Sequence, residues 1–144
     1  MCDKWFDQSE NLEVSMGKIR NNHEDIYGAG PTYIRTVRAN NSLYISGCTA
    51  RSSGAEGGPV MDQLRVVLDR ITRIVRAEGG QPSDIVAMTT YTTDMKLMWP
   101  IEKSQINIWT EYFQGDWPTN SYVEVSALAE PGLYVEITAT AILE

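Results

Sequence analysis

The chain has one histidine, two cysteines and few basic residues, and each shortage removes a class of function. A lone His23 leaves no second imidazole for a histidine-based triad partner or a His-rich metal site, so no metal is expected. Cys2 and Cys48 lie far apart in sequence and are not expected to form a structural disulfide or a zinc site. Twelve Lys and Arg against nineteen Asp and Glu give a net charge of −7. Attachment to a phosphate backbone draws its affinity from cations, so nucleic acid is excluded as an expected partner. No apolar run approaches the roughly 20 residues that span a bilayer, so no membrane contact is expected. Met1-Cys2-Asp3-Lys4-Trp5 does not read as a secretory leader, and a cytoplasmic location is expected. Repeats and low-complexity tracts are missing as well. What is present is 42% hydrophobic residues in 144, enough for one core and too little chain for two comfortable domains.

Residues 1–27 are polar and without apolar period and read as an irregular N-terminal extension, leaving residues 28–144 as the folded domain. Thr32 to Arg38 alternates, Asn40-Asn41 supplies a turn, and Ser42 to Ser46 alternates again, which predicts a hairpin. The glycines and serines between Ser52 and Pro59 predict a loop. From Val60 onward Leu64, Val67, Leu68, Ile71, Ile74 and Val75 fall on one stripe of a helix, and Gly79-Gly80 stops it. Ile85 to Tyr91 reads as a strand. Trp99-Pro100 reads as the start of a second helix carrying Ile101, Ile108, Trp109 and Tyr112. Ser121 to Leu128 and Leu133 to Leu143 read as closing strands, separated by the turn Glu130-Pro131-Gly132. The order is β-β-α-β-α-β-β, an α+β chain.

Alternation assigns faces to the last two strands. Leu133, Val135, Ile137, Ala139 and Ala141 share a side suited to two covering helices, and Glu136, Thr138 and Thr140 take the other. By the same pattern Val123 and Val125 are expected under the helices, with Asn120, Tyr122 and Glu124 opposite.

Pro118-Thr119-Asn120-Ser121-Tyr122-Val123-Glu124-Val125, then Leu128 and Tyr134-Val135-Glu136-Ile137, resembles the closing signature of the RidA/YjgF reactive-intermediate deaminases. Gly30-Pro31, Ser46-Gly47, the helix from Gln63 to Gly79, Asp84-Ile85-Val86, Asp94 and Asn107 follow that family's order, so the resemblance spans about residues 28–143. It implies a mostly antiparallel, chorismate-mutase-like sheet with two helices on one face. It also implies a homotrimer with clefts between subunits, and hydrolysis of small-molecule enamines or imines to a carbonyl compound and ammonia without a cofactor.

The resemblance assigns roles residue by residue. Glu136 matches the acidic residue that orients water or moves a proton. Asn120 stands where typical members carry an arginine that grips the substrate carboxylate. Each charge-assisted hydrogen bond of that kind is worth on the order of 1.5–3 kcal/mol, or roughly 10- to 150-fold in binding. Asn donates and accepts without charge, so a neutral polar group suits it better than an anion. Tyr122 replaces a residue that is often small and should narrow the pocket, and Thr32 replaces a common tyrosine. Cys48 follows Ser46-Gly47, where that family's cleft-lining loop begins, and the resemblance therefore places it at the pocket; read by itself, a lone cysteine is a small buried hydrophobe. Two functions stay open at this level: a divergent deaminase and a non-catalytic metabolite-binding trimer. A ribonuclease or translation inhibitor is disfavoured by the acidic charge and the single histidine.

Overall fold

The apolar stripe from Leu64 to Val75 is fully buried, and it organises the fold because each such aliphatic side chain contributes about 1.5–3 kcal/mol when removed from water. A computed structural model describes residues 17–144. In chain order the elements are β1 (Lys18–Asn21), α1 (Glu24–Tyr27), β2 (Thr36–Ala39), β3 (Ser42–Cys48), α2 (Val60–Ala77), β4 (Ile85–Thr92), α3 (Lys103–Phe113), β5 (Thr119–Glu124) and β6 (Val135–Ile142). The six strands form one sheet in the order β1-β2-β3-β6-β4-β5. Only β4 and β5 pair in parallel; the other neighbours are antiparallel. Helices α2 and α3 pack on each other, and α2 lies against β6 and β3.

Local chemistry explains most boundaries. Asn40 takes the left-handed conformation at φ 54° in the β2–β3 turn, a region that Asn tolerates better than most residues. Helix α2 ends in a Schellman motif: Gly80 N–H donates to the Val75 carbonyl at 2.9 Å and Gly79 N–H to that of Arg76 at 3.0 Å. Gly79 sits at φ 89° to allow it. Val135, Ile137, Ala139 and Ala141 are buried against the helices as alternation requires.

Four expectations are corrected. The irregular reading of residues 1–27 fails from Lys18 onward, where β1 joins β2 and α1 follows; all four β1 residues are exposed, so no apolar alternation announces the strand. His23 Nε2 meets Glu78 Oε2 at 2.5 Å and fastens this segment to the end of α2. Residues 1–16, Cys2 included, lie outside the described residues. Strand β2 starts at Thr36 instead of Thr32, and α3 starts at Lys103, three residues beyond the cis Trp99–Pro100 peptide.

The fourth correction concerns the closing strands. They are not neighbours, because β4 lies between them. The parallel register sets Asn120 beside Met88 and Tyr122 beside Thr90. Met88 and Thr90 are buried under the helices, so Asn120 and Tyr122 project to the helix side, and Val123, 39% exposed, faces the open side. Among the described residues no helix is long and apolar enough to cross a membrane.

Candidate active site

Glu136 and Gly47 meet at a break in the β3–β6 ladder. Ile45 pairs with Ala139 and Cys48 with Ile137, so Ser46 and Gly47 together oppose Thr138 in a bulge. A Cβ on Gly47 would overlap the Glu136 carboxylate and lie 2.8 Å from its Cδ. Glycine therefore lets the acid lie flat against the strand. The carboxylate is half-buried beside a cavity of about 240 Å³ whose wall includes Tyr27, Tyr33, Ser46, Thr49 and Arg51. It makes no hydrogen bond to another described residue. Burial raises the Glu136 pKa above the ordinary carboxylate value, and the Arg35 charge opposes that rise in part.

Arg35 builds this pocket from behind. It is fully buried, and its guanidinium donates to the carbonyls of Tyr27 at 2.8 Å, Gly28 at 3.1 Å, Ser46 at 3.0 Å and Gly47 at 2.8 Å. The cation thus holds the start of the Gly28 loop and the β3 bulge together. Its centre lies 4.4 Å from the Tyr27 ring, and Arg70 lies 4.0 Å from the same ring. The Tyr27 hydroxyl and Thr49 Oγ1 are 2.9 Å apart.

A second cleft, of about 230 Å³, opens on the helix side of the sheet between α3 and β5. Ile101, Ile106, Trp109, Trp117 and Pro118 line it with Asn120 and Tyr122. The Thr90 hydroxyl donates to Asn120 Oδ1 at 3.0 Å. Tyr122 donates to Gln105 Oε1 at 3.1 Å, and its ring stands 5.6 Å from that of Trp99. Burial pushes the Tyr122 hydroxyl up to about 12, so it stays protonated.

The architecture has known relatives. The sequence profile described as endoribonuclease L-PSP matches residues 25–143. The chain belongs to the RidA/YjgF family. A RutC family protein of Pyrococcus horikoshii is 33% identical over 119 residues, covering 80% of this chain and 89% of the relative. The mouse protein named 2-iminobutanoate/2-iminopropanoate deaminase is 31% identical, over 78% of this chain and 82% of its own length. Among solved structures, a Mycobacterium tuberculosis member of the YjgF/YER057c/UK114 family superposes with a TM-score of 0.71 at 28% identity, covering 88% of this chain and all of that one.

On this family scaffold the residues singled out from sequence separate. Glu136 lines one cavity, while Asn120 and Tyr122 line another on the opposite face. Thr32 is exposed in a turn and lines neither. The neighbouring Tyr33 lines the Glu136 cavity instead, since the chain there is not yet extended into β2. Cys48 is fully buried in the core, and burial pushes its thiol up to about 11 against the opposing charges of Arg35 and Arg70. It is packing, as its isolated reading holds. Arg35 is not anticipated as a site residue, because an arginine in an alternating segment reads as a solvated charge and its partners are main-chain carbonyls, which no side-chain pattern marks.

Proposed function

We propose that this chain is a divergent hydrolytic deaminase acting on a small imine, enamine or related conjugated metabolite in a cleft completed by a second subunit. The observation that carries the reading is Glu136: a half-buried carboxyl, without a hydrogen bond to the described residues, beside a cavity with its pKa raised. A group in that state suits proton transfer, which is typically worth about 10²–10⁴-fold.

The chemistry balances without a further reactant. Protonated Glu136 gives its proton to the imine nitrogen as water adds to the carbon, and the carboxylate recovers a proton from that water. The resulting amino alcohol moves its hydroxyl proton to nitrogen and expels ammonia, leaving a carbonyl. An enamine enters the same course after protonation at carbon. Asn120 binds the polar end of the substrate, and Tyr122 narrows its cleft.

Opposite faces bear on assembly. In one chain Glu136 pairs with Tyr91 while Asn120 pairs with Met88, on different sides of the sheet. A site using both residues takes them from two chains, which favours an intersubunit cleft.

Ammonia release from a neutral conjugated enamine and from enzymatically generated 2-iminobutyrate tests the reading. Faster turnover of the neutral compound is expected, with Glu136→Gln slowing it by about 10²-fold or more. A Glu136→Gln protein as active as its parent would overturn it. Tight ligand binding with no hydrolysis would instead favour the non-catalytic trimer. The ribonuclease reading draws no support from His23, which is buried against Glu78 and lines neither cavity.

A further inference from the structure

The cleft between α3 and β5 has an unusual balance of hydrogen-bonding groups. Gln105 lies buried behind its wall, and Gln105 Oε1 accepts both the Trp109 indole N–H at 3.0 Å and the Tyr122 hydroxyl at 3.1 Å. Those two donors are spent. On the other wall the Thr90 hydroxyl occupies Asn120 Oδ1, which leaves the Asn120 amide N–H groups without an acceptor among the described residues. The Trp117 indole, 55% exposed, likewise donates to no described group. The lining contains no Lys, Arg, Asp or Glu. The remaining polar capacity of the side chains facing a ligand is therefore mainly donation, set in apolar walls.

We infer that this cleft binds a neutral, largely apolar small molecule carrying one carbonyl acceptor, a ketone, ester or amide, with the acceptor on the Asn120 amide and the apolar body against Trp109 and Trp117. The inference rests on the reading of Asn120 as a ligand contact and adds the chemistry of what it contacts. A carbonyl that leaves water for these apolar walls needs a donor to avoid the cost of an unmade hydrogen bond, and the exposed Asn120 amide supplies one. An anion entering the same walls loses its hydration and meets no cation, in a protein whose own net charge is −7. Size agrees: a cavity of about 150 Å³ accommodates benzene, so about 230 Å³ suits one ring with a short substituent.

Acetophenone and benzoate share a ring and differ in charge, and calorimetric titration of each into the full chain decides the matter. Acetophenone is expected to bind at least about 10-fold tighter than benzoate. Asn120→Asp keeps the shape and removes the donors, and should weaken acetophenone roughly 10-fold. Asn120→Arg should strengthen benzoate roughly 10-fold. Trp117→Ala, at an exposed position, should lose ketone affinity with an unchanged far-ultraviolet spectrum. Benzoate bound as well as acetophenone, neither ligand bound, or an Asn120→Asp protein with full ketone affinity would each overturn the inference. Glu136→Gln should retain ketone binding while losing turnover. Absent turnover with ketone binding intact tells against the catalytic reading alone, and absent ketone binding tells against this one.

Discussion

Glu136 owes its character to a residue without a side chain. Gly47 leaves the space in which the carboxylate lies, and a methyl group there would collide with it. Gly47→Ala is therefore expected to cost about 1–3 kcal/mol through overpacking and to turn the acid out of its place, reducing turnover more than Glu136→Asp does. Chemical denaturation and kinetics measured on one preparation check both effects. The raised Glu136 pKa also carries a sign. The folded chain holds this proton more tightly than the unfolded chain, so stability is lost as pH rises from the ordinary carboxylate range through the folded value. Glu136→Gln removes that loss. Melting parent and variant at pH 4 and pH 7 should show the variant gaining relative to the parent at the higher pH; a relative fall would contradict the burial that raises the pKa.

At the level of elements, Arg35 joins segments that the sheet ladder does not. Its guanidinium reaches carbonyls before β2 and in the β3 bulge, so Arg35→Lys, with a point charge in place of a fork, leaves several carbonyls unpaired. The expected cost is roughly 2–4 kcal/mol in urea denaturation; Arg35→Met, which removes the charge as well, should let the Glu136 pKa rise further. No sequence pattern announces this bolt, because its partners are backbone groups brought in by tertiary structure. What was legible follows from period. Leu64 to Val75 repeats as a helix, Val135 to Ala141 alternates as a half-buried strand, and Gly79 ends the helix where a left-handed residue is needed. Strand β5 failed the same test because it is an edge strand with polar residues on both faces. Its facing came from pairing with β4 and from the Tyr122 bond to Gln105. The family signature nominates Glu136 and Asn120, yet only the register shows that one chain holds them apart.

On the scale of the whole molecule, the open side of the sheet presents Tyr44 at 52% and Ile142 at 44% exposure. Tyr44 pairs with Thr140 and Ile142 with Ser42, so the two lie close on one uncovered face. Exposed apolar groups gathered on a face commonly mark association. Sedimentation at micromolar concentration is expected to give about three chains, and Tyr44→Asp to shift the distribution toward monomer. A parent that stays monomeric would remove the intersubunit site. The placement of Glu136 and Asn120 on opposite faces then has a genetic consequence. If every functional cleft takes its acid from one chain and its amide from the next, defects in the two residues belong to different complementation groups within one gene. Glu136→Gln and Asn120→Asp chains, each impaired alone, should regain turnover when unfolded together and reassembled, with about one quarter of the interfaces in an equal mixture receiving both intact residues. Two preparations carrying the same lesion should regain none.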